Sequence, residues 1–173
     1  MNILLLAAPL LLAPVASPAS SPALPPTGPA CNGMLSVIDP DPGGTSVRKT
    51  PGGAVIATLR TSRDADDWLE VHIVGQDGDW FLIDRADLVG DDSRTVYRGK
   101  GYMHRAVLGA DGLVNGEPIR ATHDARSRRI LASEEPDQQV HVLACWGDFL
   151  QIRVKNGTGW TKSLCLNQRT TCA

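Results

Sequence analysis

Val71-His-Ile-Val-Gly-Gln-Asp-Gly-Asp-Trp-Phe-Leu-Ile83 returns later in the chain as Val140-His-Val-Leu-Ala-Cys-Trp-Gly-Asp-Phe-Leu-Gln-Ile152. In both copies a short β-type run meets a Gly-Asp turn and a second β-type run opens on an aromatic residue. β-branched and aromatic residues in runs this short, bounded by glycine and aspartate, read as a hairpin. Alternation sets Trp80 and Leu82 on one face and Phe81 and Ile83 on the other, so one face is available to close over a core.

The repeat extends outward in both directions. Ser46-Val-Arg48 corresponds to Pro118-Ile-Arg120, each followed by a polar turn and then by Ile56-Ala-Thr-Leu59 or Arg129-Ile-Leu131. Gly101-Tyr102 matches Gly159-Trp160, and Val107-Leu108 matches Cys165-Leu166. The first copy carries additional residues between Asp84 and Lys100, read as a polar loop. Ala110-Asp-Gly-Leu-Val-Asn-Gly116, rich in turn formers, is the natural boundary between the copies. No window carries the i, i+3, i+4, i+7 apolar spacing and the cap of a helix, so the expected class is all-β.

Ahead of the repeats the chain changes character. Met1 to Ala16 is an apolar run interrupted by Pro9 and Pro14, of signal-peptide length and too short to span a bilayer as a helix. Small residues follow, and cleavage is expected after Ala19, with Ala23 as the alternative. The run has no Lys or Arg at its start, which departs from the usual pattern. Ser17 to Pro29 is rich in Pro, Ser and Ala and reads as an extended tether. The expected organisation is a signal peptide at 1–19, a tether at 20–33, a first domain at 34–109, a linker at 110–116 and a second domain at 117–173. The protein is therefore expected in the periplasm or outside the cell.

Export places Cys31, Cys145, Cys165 and Cys172 in an oxidising compartment, where an even number of cysteines reads as disulfides. Three pairings are possible, of which Cys145–Cys165 with Cys31–Cys172 is favoured. No Cys-x-x-Cys pair occurs and no histidine stands at ligand spacing beside a cysteine, so neither a metal nor a cofactor is expected. Composition narrows the partners. A formal net charge of -2 offers no broad cationic surface for nucleic acid or anionic lipid.

The order Val/Ile-Arg, a Pro/Gly turn, an Ile-x-x-Leu strand, a Val-rich strand, Gly-Asp-aromatic-x-x-Ile and Gly-aromatic resembles the bacterial SH3-like (SH3b) family. Thr45-Ser-Val-Arg-Lys-Thr-Pro-Gly-Gly53 carries the opening, Asp79-Trp-Phe-Leu-Ile83 and Gly147-Asp-Phe-Leu-Gln-Ile152 the centre, and Gly157-Thr-Gly-Trp160 the end. The likeness covers most of residues 45–109 and 117–166. It departs at Ser46 and Pro118, where the family has Asn, and at Met103 and Thr161, where it has Val. It implies two tandem small β-barrels. It also implies ligand-facing rings at Trp80 with Tyr102 and at Phe149 with Trp160, suited to sugar faces or extended peptide. Trp68 and Trp146, in the strand-rich centre, are assigned to packing.

Catalytic chemistry finds no footing in the sequence. There is no Gly-x-Ser-x-Gly elbow, no His-Glu-x-x-His and no phosphate loop. His72 and His141 sit at equivalent repeat positions, as strand residues do, and His104 and His123 are lone residues near turns. Asp64, Asp66 and Asp67 read as a solvated loop, and Arg126, Arg128 and Arg129 as a solvated basic turn. The expectation is a non-catalytic module that binds peptidoglycan or another envelope component. The alternative is a partner, scaffold or inhibitor of a secreted protein, which the extra loop would serve.

Overall fold

The computed structural model describes residues 28–61, 67–114, 117–130, 139–154 and 157–166. The expected signal peptide, both cleavage positions, Cys172, Asp64 and Asp66 lie outside the described residues. Twelve strands follow one another: β1 (Ala30–Val37), β2 (Thr45–Arg48), β3 (Val55–Leu59), β4 (Trp68–Asp77), β5 (Trp80–Val89), β6 (Arg94–His104), β7 (Leu108–Ala110), β8 (Gly112–Leu113), β9 (Val140–Trp146), β10 (Phe149–Val154), β11 (Gly157–Thr161) and β12 (Leu164–Cys165). Among the described residues one 3-10 turn, Arg105–Val107, joins β6 to β7. The class is all-β, and every strand ladder is antiparallel. Among the described residues no helix is long and apolar enough to cross a membrane.

Ten strands form one sheet in the order β11-β10-β9-β7-β1-β4-β5-β6-β2-β3, and β8 pairs with β12 in a second. The large sheet ends on β11 and β3 and does not close on itself. One buried cluster runs through both repeats, from Val47, Val71, Ile73, Phe81, Ile83 and Met103 to Ile119, Val142, Leu150 and Ile152. Apart from Ile119, which lies outside the strands, each residue in that series comes from the inward set of an alternating strand. Burying about 25 cal/mol for each Å² of apolar surface is what holds strands this short together.

The repeat is written into the backbone. Gly78 and Gly147 adopt φ of 56° and 54° as first residues of two-residue turns, where Asp77 pairs with Trp80 and Trp146 with Phe149. Glycine at that position belongs to the type II′ turn, whose twist suits a hairpin. Gly99 and Gly157, at φ of 137° and 141°, stand two residues before Gly101 and Gly159. A Cβ on Gly101 would collide with Val47 Cγ1, and one on Gly159 with Ile119 Cγ2. Arg48 lies opposite Tyr102 as Arg120 lies opposite Trp160. The two guanidiniums even cap equivalent turns, on Gly53 O at 2.7 Å and Ser127 O at 3.0 Å.

Four expectations require correction. The stretch Asp84 to Lys100 is not a polar loop but the arms of β5 and β6, turning at 90–93. A bulge after Ile83 resets the alternation, so Ala86 and Leu88 point inward while Arg85 and Asp87 pair outside at 2.8 Å. The charges masked a period-2 signal. The turn-rich segment 110–116 carries β8, and its Ala110 and Leu113 are buried. Ala30 to Gly33, read as tether, open β1, which pairs with β4 on one side and β7 on the other.

The fourth correction is the disulfide pairing. Cys31 bonds Cys145, with Cα atoms 5.7 Å apart, so neither favoured pair forms. Cys165 is also disulfide-bonded, with its partner outside the described residues, and no described cysteine is free. The cause is β1. Asn32 N donates to Gly147 O at 2.8 Å and Gly147 N to Ala30 O at 2.9 Å, which lays Cys31 beside the second repeat's turn. Nearby, the buried Gln76 side chain acts as a strand edge: its Oε1 accepts from Cys145 N at 3.0 Å and its Nε2 donates to Leu143 O at 3.2 Å.

Candidate functional site

Strict alternation from Val140 and Val142 would turn Ala144 and Trp146 inward. It does not hold, because β9 bulges between Val142 and Ala144, where the register to β10 shifts. Cys145 takes the inward position, and Trp146 emerges 52% exposed. Trp146 is thus a surface residue, against the packing role read from sequence. The same bulge occurs in β4 between Ile73 and Gly75, so it belongs to the repeat and not to the cysteine.

A large exposed ring next to a tight turn finds neighbours here. The His123 ring stacks on Trp146 at 4.6 Å between centroids and 20° between planes, and meets Trp160 edge-on at 5.1 Å and 75°. His123 rides on the turn of the short hairpin from Ile119 to Ile130, where Arg120 opposes Arg129. Phe149 lies directly across from Trp146, and the Lys162 ammonium stands 4.8 Å from its ring centroid. Gln151 Nε2 donates to Thr158 Oγ1 at 3.4 Å.

Register converts these contacts into a surface. Residues directly opposite in a ladder share a face. Ala144, Gln151, Trp160, Arg120 and Arg129 form one such row across the second repeat. Leu150 and Ile152, between them along β10, point into the core. The outward face therefore carries Trp146, Phe149 and Trp160, where an ordinary half-buried sheet carries polar side chains.

The first repeat is an internal reference for what the fold itself needs. Its matching row is Gly75, Leu82, Tyr102, Arg48 and Val55. The centre of that row is closed: Leu82 is 5% and Tyr102 4% exposed, while Val55 at its end is exposed. Burial, and after it the Asp77 carboxylate, raises the Tyr102 hydroxyl above its ordinary value. Trp80 packs edge-on against His104 at 5.0 Å, with the Arg48 guanidinium 6.0 Å over its ring. Where Trp146 stands, the first repeat has Asp77; at the distance from Arg48 that His123 has from Arg120, it has Pro51, on a shorter turn. The fold tolerates both replacements, so architecture does not demand these rings.

The four aromatic positions read from sequence thus separate. Phe149 and Trp160 lie on the open face of the second repeat. Trp80 and Tyr102 lie on the corresponding face of the first, where Tyr102 is buried. Sequence reading missed Trp146 and His123, and comparing the repeats position by position is the signal that finds them. The structure also gathers an exposed polar chain at the junction: Asp84 Oδ1 with His72 Nδ1 at 2.8 Å, His72 Nε2 with Asn32 Oδ1 at 3.1 Å, and Asn32 Nδ2 to Asp148 Oδ1 at 3.0 Å. These residues link β1, β4, β5 and the second repeat's turn, with no hydroxyl or thiol nucleophile within the chain of bonds. Among the described residues no cluster of three His, Cys, Asp or Glu is arranged to hold a metal ion. No family model, no curated protein and no solved structure matches the chain.

Proposed function

We propose that this chain is an exported, non-catalytic binding module built from two SH3-like repeats, and that the outer face of its second repeat holds a glycan strand of the cell envelope, peptidoglycan above all. The observation that carries the reading is Trp146: half-exposed, stacked on His123 and flanked by Trp160 and Phe149. Flat rings on a pleated surface fit the apolar faces of sugars and leave the hydroxyl rim in water. Export is supported by the apolar run at residues 1–16 and by the disulfides. The SH3-like assignment is supported by the order of motifs and by the two matching cross-strand rows.

Co-sedimentation with purified sacculi tests the reading. The disulfide-intact protein is expected in the pellet and the Trp146→Ala protein in the supernatant. Wild-type protein that stays in the supernatant contradicts it.

A protein partner is the second reading, and one observation favours it. β3 is the outermost strand on one side of the large sheet, carries no charge, and exposes Val55 and Ile56. An uncharged edge of this kind accepts an added strand. Ile56→Lys is expected to abolish capture of a protein partner without affecting sacculus binding; capture that survives the substitution removes this reading.

A further inference from the structure

We infer that the outer face of the second repeat selects anionic glycans, those bearing carboxylate or phosphate groups, over neutral ones; this rests on the glycan reading above and adds the charge of the ligand. The inference comes from how the two repeats differ at matched positions. Val55 at the end of the first row is replaced by Arg129. His104, beside Trp80, is replaced by Lys162 beside Phe149. Asp84, one residue after Ile83, is replaced by Arg153, one residue after Ile152. Asp77 is replaced by the uncharged Trp146. Each of these four exchanges moves the second face toward positive charge, against the loss of Lys49 and Arg105 at Ala121 and Ser163, and each of the three new cations is exposed or set against an outward ring.

The neighbouring acids are outnumbered. Asp148, which accepts from Asn32 Nδ2 at 3.0 Å, and Asp124, which accepts from Arg126 N at 2.8 Å, keep their negative charge but stand against the exposed Arg129, Arg153 and Lys162. Arg126 and Arg128, on the hairpin that carries His123, add further cations at the rim. The whole chain has the same bias. Before residue 117 nine Lys and Arg face thirteen Asp and Glu, and from residue 117 onward eight face six. A net charge of -2 hides an acidic first half and a basic second half. Rings that carry sugar faces, rimmed by guanidinium groups whose paired N–H donors reach two oxygens of a carboxylate or phosphate, point to an acidic glycan as the ligand class.

Two oligosaccharides that share N-acetylglucosamine and differ in charge make the test: the chitin hexamer, which is neutral, and the hyaluronan hexamer, with a carboxylate on alternate sugars. A phosphate-substituted dextran, run beside the unsubstituted dextran, distinguishes phosphate from carboxylate as the recognised group. Binding is read by tryptophan fluorescence of the disulfide-intact protein. We expect an acidic glycan to bind about tenfold more tightly than its neutral counterpart at low salt. The preference shrinks as ionic strength rises from about 0.05 M to about 0.5 M. Arg129→Val with Lys162→His installs the first repeat's own residues, and is expected to shrink the preference, the affinity for the acidic glycan falling several-fold more than that for the neutral one. Equal affinity for charged and neutral forms overturns the inference and leaves the glycan reading intact, as does a preference that salt does not weaken. Failure of all four probes to bind overturns both.

Discussion

At the scale of single residues, the account turns on Trp146. A core tryptophan truncated to a small side chain leaves a cavity and costs about 3–5 kcal/mol, enough to unfold a marginal domain. A half-exposed ring over a turn does not, because substitutions away from the core stay within about 0.5 kcal/mol. Trp146→Asp, the residue the first repeat holds at Asp77, is therefore expected to shift the denaturation midpoint little while removing sacculus binding. A loss of several kcal/mol on chemical denaturation would return Trp146 to the core. A tryptophan in the strand-rich centre reads as packing, and strict alternation from Val140 and Val142 agrees with that reading. The bulge after Val142 reverses every side chain beyond it and turns Trp146 outward. A bulge without a glycine leaves no mark in the residues themselves.

At the scale of elements, the repeat was the most legible feature. Gly78 with Gly147, Gly101 with Gly159 and Arg48 with Arg120 occupy equivalent places in backbone and contacts alike. Glycine is legible because it marks what a Cβ forbids. Gly101→Ala and Gly159→Ala each drive a methyl into the buried Val47 or Ile119, and are expected to destabilise by roughly 1–3 kcal/mol or more. Urea titration reads the effect, and a neutral result at either site would dissolve the equivalence. The β5–β6 arms were illegible in proportion to their charge. Asp84-Arg-Ala-Asp87 and Arg94-Thr-Val-Tyr-Arg98 look like loops, although Ala86 and Leu88 keep a strand's period. Those arms are part of the sheet, so removing them would cost the first repeat its fold, and they offer no detachable loop for a partner.

At the scale of the whole molecule, the two repeats are not beads on a string. β1 threads between them, a single sheet crosses from one to the other, and one buried cluster continues through both. None of this was visible beforehand, because β1 belongs to neither repeat and its pairing is long-range. The Cys31–Cys145 bond fixes that arrangement by closing a loop across 114 residues of sequence separation. Loops of that length stabilise by about 4–5 kcal/mol in the chain-entropy description. Replacing both cysteines by serine is expected to lower the unfolding free energy by roughly 2–5 kcal/mol. Non-reducing peptide mapping should recover Cys31 linked to Cys145, and a Cys145–Cys165 peptide would contradict the topology.

The claim that the second repeat's outer face is the binding surface has a direct measurement. The four tryptophans give four indole N–H signals, and they sit in four different settings. Trp68 is buried, with its Nε1 donating to Glu70 Oε1 at 2.9 Å. Trp80 packs against His104 in the first repeat. Trp146 and Trp160 both contact His123 in the second. Titrating nitrogen-15-labelled protein with soluble glycan fragments released from sacculi is expected to move the Trp146 and Trp160 indole signals together, with one saturation curve, while Trp68 and Trp80 stay in place. Shifts confined to Trp80, or saturation that leaves Trp146 unmoved, would contradict the account.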